Sequence, residues 1–410
     1  MLTVDPADPS FPYPMDSSFP AAPGVEVIRT KLSPTMLDRY ARWKKNRPVK
    51  APASQGGAAD QNPADASAGR GFLRTQLVAG MTCPDRQINW YSPAVQTASR
   101  ILEKAGIAAV VSSAPPFTAH LVARQLKRKY KVPVILDFRD AWTCDSWRRL
   151  EAIPRWRDWL ERRMERSCLQ AADAVICVTD EARDDLLRVH PGVPAKKFLT
   201  IPNGFDAGEA PPGAGASSDG RQLFVHLGTL YGDRRVDGFC RAIGQLVRDG
   251  ALNPAQFKVL FVGDADPGFI EGAHRESPGL LQSGTIEFCP RVDWDKGQRL
   301  LSQATALVLI QGHIKEAIPA KAFEYVCAGK PIFAIVSEGA LSRMLDETGL
   351  GCWASPDDTA QIAAQFLKTV RALPRSADEI RHAARKYEFC HLTSQLAAVI
   401  RAYARVPAAE

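Results

Sequence analysis

Glu316 and Glu324 stand eight positions apart in this 410-residue chain, with Pro319 and Lys321 between them. A β-type apolar run over 305–310 precedes them. Ala328-Gly329-Lys330-Pro331 and a second apolar run over 332–336 follow. The order reads as strand, loop, short helix and strand. It sets two carboxylates and an ammonium at the carboxyl end of a strand, where an open α/β sheet binds its ligand. Pro319 suits the first helical position, since its missing N–H would be unpaired there anyway. Gly329 suits the left-handed residue that ends a helix. The spacing therefore predicts a helix over 319–328. Lys321 falls in its first turn, Glu324 lies three residues on along the same face, and Glu316 sits in the loop before it. The leading amides, the positive dipole end and Lys321 favour a phosphate-bearing ligand. The carboxylates cannot favour phosphate and are suited to accept hydrogen bonds from sugar hydroxyls. Together these groups describe a nucleotide-sugar pocket. The plainer alternative is a surface-loop glutamate beside a helix-stabilising Lys–Glu pair.

Residues 316–325, followed by Ala328-Gly329-Lys330-Pro331-Ile332, resemble the E-x7-E donor motif of family-four retaining glycosyltransferases. These are two-domain enzymes of the GT-B fold. The resemblance covers nearly the whole chain after Pro84 and is strongest over 313–336. It implies that Glu316 lies near the sugar at the reacting centre, that Glu324 binds the ribose and that Lys321 meets the diphosphate.

Further constellations fall at other strand ends. Residues 225–235 form a strand, a glycine-bearing loop and a helix start. Backbone amides there can cradle a diphosphate and arginines can pair with its oxygens. A plain strand-to-helix turn is the alternative, and the loop is not the G-x-G-x-x-G of a nicotinamide site. Many members of the resembled family carry Gly-Arg here, with a Lys six residues after the glycine. This chain has Gly228-Thr229 and Arg234, so Arg234 or Arg235 is expected to supply the charge. Ser112-Ser113-Ala114-Pro115-Pro116-Phe117-Thr118-Ala119-His120 resembles a Ser-Ser-x-Pro-Pro-x-x-x-His segment of one family branch. His120 would sit in a first helical turn, where the dipole keeps its imidazole neutral and able to accept from a sugar hydroxyl. The alternative is a histidine packed at a domain interface. Asp137-Phe138-Arg139-Asp140 matches the same branch. Arg139 with Asp140 is expected to face the cleft, the alternative being an internal pair that fixes the loop. The candidate catalytic residues are thus Glu316, His120 and Asp140. The donor-binding set is Gly228, Thr229, Arg234, Arg235, Lys321 and Glu324, and Pro116 and Arg139 lie on the acceptor side. Asp264 with Asp266, and Asp293 with Asp295, do not make a metal site by themselves. No metal and no cofactor beyond the nucleotide diphosphate sugar substrate is expected.

The bulk properties bound the rest. The length implies two domains. Apolar content of 45% and charge of 24% are ordinary for a globular chain. No apolar run approaches the ~20 residues that span a bilayer. The proline-rich, acidic start is not a secretory signal. Nine cysteines without C-x-x-C pairs read as free thiols of a reducing cytoplasm. The net charge of +7 is concentrated, because residues 121–170 hold thirteen Lys/Arg against seven Asp/Glu. Trp147, Trp156 and Trp159 are interleaved with that excess, and Trp156, Leu160 and Met164 recur at helical spacing. Residues 147–166 thus suit an anionic membrane surface, as a basic amphipathic helix. The alternative is a core-facing helix with a solvated basic back. No nucleic-acid module is recognisable, so nucleic acid is not an expected partner.

The alternation of elements supplies the fold class. Strands are predicted over 108–113, 132–137, 174–178 and 198–201, with helices over 34–45, 95–105, 118–130 with a Thr118 cap, 155–171, and 180–189 capped by Thr179 or Asp180. After a small-residue linker over 207–220, strands over 223–227, 257–262 and 285–288 alternate with helices over 235–248 and 293–303. Helices over 362–373, 377–387 and 393–404 close the chain. This is α/β, with two Rossmann-like doubly wound parallel-sheet domains facing a cleft. The expected domains are 1–206 on the acceptor side, with a low-complexity insert over 48–71, then 221–388 for the nucleotide sugar, and a final helix over 389–410 returning to the first. Residues 2–6 match a point well inside the resembled family, whose opening strand and glycine-rich loop are missing from the start. The expected function is transfer of a sugar from a nucleotide diphosphate sugar to a saccharide or lipid-linked acceptor, in cell-surface polysaccharide or glycolipid synthesis. The expected place is the cytoplasm, at the inner face of the membrane. A catalytically dead nucleotide-sugar binder or scaffold is the alternative. A sugar-nucleotide 2-epimerase is a third reading, which the Pro-x-Lys-x-x-Glu context opposes.

Overall fold

The computed structural model describes residues 1–5, 8, 22–34, 76, 79–144, 146, 148, 153–206, 220–372 and 376–404. The insert over 48–71, all but the first residue of the helix expected over 34–45, Trp147, Arg149 and residues 207–219 lie outside them. The chain divides into two compact units. One comprises Met1–Ile176, His190–Phe198 and Ile400–Glu410, and the other Cys177–Val189 and Leu199–Val399.

A short parallel pair of the first unit, β1 (Leu2–Val4) and β2 (Ile28–Thr30), stands apart from a four-stranded sheet that belongs to that unit except for Cys177 and residues 199–200. That sheet runs β3 (Val110–Ala114), β4 (Val134–Phe138), β5 (Ala174–Cys177) and β6 (Phe198–Thr200) in order. Helices α1 (Tyr91–Lys104), α2 (Thr118–Tyr130) and α3 (Arg155–Ala171) belong with it. Every residue of β4 and β5 is buried, as expected of strands covered on both faces. The carboxylate of Asp173 accepts from the Val134 amide and the Lys127 ammonium, both at 2.7 Å, and so ties α2 to the start of β4. Thr118 was expected to cap α2 but is itself capped: Asp85 accepts its amide at 2.8 Å and its hydroxyl at 2.7 Å. Thr179 does cap the next helix, α4 (Asp180–Val189), which belongs to the second unit, accepting the Ala182 amide at 3.0 Å.

Helix α3 matches its predicted bounds. Trp156, Leu160 and Met164, which recur at helical spacing, would turn inward in the core-facing alternative. The buried positions are instead Glu161, Glu165, Cys168 and Leu169, while Trp156 and Trp159 are exposed. Glu161 is held by Arg148 at 2.5 Å, Arg157 at 2.6 Å and the Trp142 indole at 3.3 Å. Glu165 accepts from the Thr143 amide at 3.2 Å and pairs with His190 at 2.7 Å. A buried carboxylate persists only with such partners.

The second unit is built on six parallel strands. They are β7 (Gln222–Leu227), β8 (Phe257–Val262), β9 (Ile286–Cys289), β10 (Ala306–Gly312), β11 (Ile332–Val336) and β12 (Gly351–Ala354), in the spatial order β12-β11-β10-β7-β8-β9. The order reverses between β7 and β10, the switch point of a doubly wound sheet. Alternate residues feed two cores. Leu223, Val225, Leu307 and Leu309 pack with α9 (Ala320–Cys327) and α10 (Ala340–Thr348). Phe224, Val259, Phe261 and Val308 pack with α5 (Asp237–Arg248) and α11 (Thr359–Arg371) on the other face. Helices α6 (Pro267–Glu276) and α7 (Pro278–Gln282) follow β8, α8 (Trp294–Gln303) follows β9, and α12 (Ala377–Ala383) and α13 (Phe389–Tyr403) end the chain. Helices α6, α7 and α10 and strand β12 have no counterpart among the sequence expectations.

At the switch point the ladder between β7 and β10 includes only Phe224 and Val225 on the β7 side. Beyond them the strands part, and side chains take over. The Tyr325 hydroxyl from α9 accepts the Leu227 amide at 3.0 Å and donates to the Val308 carbonyl at 3.4 Å. His226 Nδ1 donates to the same carbonyl at 3.0 Å. Burial lowers the His226 pKa to about 3, so the ring is neutral. Tyr325→Phe strips the Leu227 amide of its acceptor in a dry interior. The expected loss is about 1–3 kcal/mol, read as a lower denaturation midpoint. An unchanged midpoint would show that the hydroxyl does not bridge the strands.

Candidate functional site

A cavity of about 630 Å³ opens outside the carboxyl ends of β7 and β8, lined entirely by residues of the second unit. Its walls include Gly228 and Thr229 after β7, Gly263 and Asp264 after β8, and Ala320, Lys321 and Glu324 on α9. Arg291, Trp294 and Asp206 also line it. Four of the sequence-predicted donor residues, Gly228, Thr229, Lys321 and Glu324, thus share one hollow.

The contact at its centre is between Lys321 and Gly228. A Cβ on Gly228 would fall 1.4 Å from Lys321 Nζ and 2.3 Å from its Cε. The glycine holds φ at +138°, which side-chain-bearing residues rarely adopt. Its amide donates to the Val262 carbonyl at 2.7 Å, and its carbonyl presses against Gly263. Only a bare backbone lets the ammonium lie this close. Pro319 caps α9 rather than starting it, and Gly329 at φ +66° follows its end.

Lys321 is half-buried. Burial, and then the nearby Arg234 guanidinium, lower its pKa to about 8, while Glu324 acts the other way. The ammonium is therefore under-solvated beside a second cation, an arrangement that favours an anion. Of the two candidate arginines, Arg234 is the one whose charge reaches Lys321. It donates to the Thr229 carbonyl at 3.4 Å and lies 4.7 Å from the Tyr231 ring. Arg235 is instead paired with Asp237 and sits 5.6 Å from the Phe269 ring. Neither arginine lines the cavity.

Glu316 is buried in the loop after β10 and is not among the cavity-lining residues. Its carboxylate accepts the Lys315 amide at 3.1 Å, and its carbonyl accepts the Thr179 hydroxyl at 2.5 Å. Gln311 pins this loop from below, donating to the carbonyls of Ile314 at 3.1 Å and Ala317 at 2.7 Å. His313 fastens it sideways, with Nδ1 2.8 Å from Asp233 and Nε2 3.0 Å from Asp357. Asp357 and Asp233 raise the His313 pKa above its ordinary value. Sequence reasoning missed Gln311, His313, Asp233, Tyr325 and His226, whose partners lie on other loops and strands. Asp266 and Asp293, weighed for metal, are helix caps. They accept the amides of Gly268 at 2.9 Å and Lys296 at 2.7 Å.

The candidates of the first unit are placed differently from expectation. His120 is fully buried, with Nδ1 2.9 Å from the Ser112 hydroxyl and its ring 4.5 Å from that of Phe138. Burial, not the helix end, lowers its pKa to about 3. Arg139 pairs with Asp137, Nε to Oδ1 at 2.7 Å, and not with Asp140. That is the internal alternative, and the Ser113 hydroxyl completes it at 3.0 Å. Asp140 is exposed, and Pro116 follows a cis peptide beside α2.

Paired α/β units with this strand order and a hollow at the switch point have the fold of GT-B glycosyltransferases. Among solved structures, sucrose-phosphate synthase from Thermosynechococcus elongatus superposes with TM-score 0.55 at 18% identity, covering 77% of this chain and 78% of that one. Anabaena HepE in complex with UDP-glucose gives 0.55 at 14% identity, covering 76% and 82%. Residues 51–204 match the family described as glycosyl transferase 4-like domain. A probable glycosyltransferase, WbjE of Pseudomonas aeruginosa, is 29% identical over 165 residues. That match spans 38% of this chain and 38% of the relative's length.

Two outcomes follow for the Lys321–Gly228 contact. The folded-state pKa of Lys321 is depressed, so its charge opposes folding below about pH 8. That penalty is relieved as pH rises toward the unfolded value. Lys321→Met should therefore raise the melting temperature at neutral pH while abolishing diphosphate binding. In the parent, diphosphate affinity should fall roughly tenfold per unit above pH 8, and Lys321→Arg should flatten that slope. A parent affinity that ignores pH between 7 and 10 would overturn the assignment. Separately, Gly228→Ala should fold less stably by about 1–3 kcal/mol and lose diphosphate binding, because the new methyl displaces the ammonium. Calorimetric titration checks both.

Proposed function

We propose that the protein is a retaining glycosyltransferase that takes its sugar from a nucleotide diphosphate sugar. The observation that carries this reading is the half-buried Lys321 ammonium laid over the bare backbone of Gly228 in the cavity wall. Lys321, the leading end of α9 and the nearby Arg234 would hold the diphosphate and stabilise its charge as it leaves. Glu324 and Asp206, carboxylates in the same wall, suit hydroxyls of ribose or sugar. The UDP-glucose bound by HepE is of this donor class. Glu316 would position the sugar at the reacting centre, the role its motif implies. Asp140 is the exposed first-unit carboxylate assigned to the acceptor hydroxyl. His120, Arg139 and Pro116 would shape that loop from within. The acceptor is a saccharide or lipid-linked saccharide of surface polysaccharide or glycolipid synthesis, met at the inner face of a membrane.

A second reading, a nucleotide-sugar binder without turnover, draws on the burial of Glu316 outside the cavity wall. One experiment separates them. UDP- and GDP-sugars are supplied to the parent and to Glu316→Gln, with donor binding and release of the diphosphate measured side by side. The proposal expects turnover by the parent, a loss of about 100-fold or more in the variant, and donor affinity within a few-fold. Binding without turnover by the parent favours the second reading. Equal turnover by both proteins removes Glu316 from the reaction.

A further inference from the structure

Helix α3 of the first unit is inside out. Its buried positions include two carboxylates, Glu161 at 1% and Glu165 at 0% exposure, while Trp156 and Trp159 are 42% and 62% exposed. The exposed positions of the helix are Arg155, Trp156, Trp159, Arg163, Arg166 and Gln170. At 100° per residue these fall within an arc of about 100°, a single stripe. No acidic side chain lies on it. The third carboxylate of the helix, Asp158, is half-buried and shared by Arg162 at 2.8 Å and Arg148 at 3.1 Å. The inward arginine, Arg157, is taken by Glu161 and by the carbonyls of Thr82 and Pro84. The cations left on the outer face are therefore not offset by carboxylates of their own helix.

We propose that this stripe docks on an anionic lipid surface. Charge complementarity names the partner's sign, and the tryptophans name its kind. An indole has an apolar body and a polar N–H, and it settles at the headgroup level of a bilayer. Arginine stems lie along apolar material while their heads stay with phosphate. Arg163 already lies 5.7 Å from the Trp159 ring, so cation and aromatic are offered together. A partner read by charge alone, such as a nucleic acid or an acidic protein, has no use for two exposed indoles spaced along the same line. Among the described residues no helix is long and apolar enough to cross a membrane. The inference stands independently of the sugar-transfer reading, since it needs neither donor nor turnover.

The experiment is sedimentation of the full chain with vesicles of phosphatidylcholine alone or mixed with phosphatidylglycerol, at low ionic strength. The parent is expected to sediment with the mixed vesicles and not with neutral ones. Trp156→Ala with Trp159→Ala should weaken binding by about tenfold. Arg155→Glu with Arg163→Glu should weaken it by at least about 30-fold. All four positions are exposed, so parent-like melting curves are expected and show that the variants fold. The proposal is overturned if the parent does not sediment, if neutral vesicles serve equally well, or if the tryptophan variant binds like the parent. Binding to heparin that depends on the arginines but not the tryptophans, without vesicle binding, would assign the face to an acidic macromolecule instead. Diphosphate titration of the same samples tests the second-unit site apart from this one.

Discussion

The parting of β7 from β10 is the constraint on which the site rests. A parallel sheet that winds outward from its middle must open there. The opening leaves backbone groups without ladder partners in a dry interior. Here the Leu227 amide and the Val308 carbonyl are those groups, and Tyr325 and a neutral His226 serve them. The repair has a geometric consequence. Tyr325 anchors α9 against both strands, and Lys321 lies four residues earlier on the same helix face. The bond that mends the sheet therefore also aims the ammonium at the loop after β7. Fold and site share one side chain, which is why a tyrosine buried in the core matters to a cavity it does not line.

The second feature is a cost carried for a purpose. Lys321 and Arg234 are close enough that each opposes the other's charge, and burial removes water from the ammonium. Nothing in core packing requires this. Folding tolerates it because Gly228 concedes the space and Glu324 offsets part of the charge. Strain, burial and like charges gathered at the mouth of a parallel sheet are what a diphosphate would relieve. An isolated surface pair would show none of them. The plainer reading of the glutamate–lysine spacing, a helix-stabilising pair, accounts for Glu324 beside Lys321 but not for the ammonium lying against a glycine of another strand's loop.

What the sequence made legible follows the range of the forces involved. Strands β8 and β11 and helix α3 have the predicted bounds, because apolar runs and helical periods are local signals. Gly329 was legible for the same reason, whereas the Ser376–Glu379 capping box emerges only in the structure. Asp266-Pro267 was a helix start hidden behind a metal question, and β12 is a short, half-buried edge strand with little pattern to read. The remaining differences are long-range. The cap of α2 comes from Asp85, and the partner of Arg139 is chosen by which strand end it shares with Asp137. The inward face of α3 follows from Arg148 and His190, which no helical period can reveal. Patterning assumes that apolar residues turn in, and two paired carboxylates reversed the rule.

That reversal also bears on the chain's net charge of +7. Paired charges in a low-dielectric interior contribute little net stability, but they fix orientation, because any other rotation of the helix would part Glu161 and Glu165 from Arg148 and His190. The arginines drawn inward are neutralised by those carboxylates, and the ones left outward are not. A similar pairing recurs in the second unit, where Asp237 holds Arg235. In each unit, internal ion pairs thus tie arginines to the fold, and in the first they leave Arg155, Arg163 and Arg166 on the exposed face of the helix.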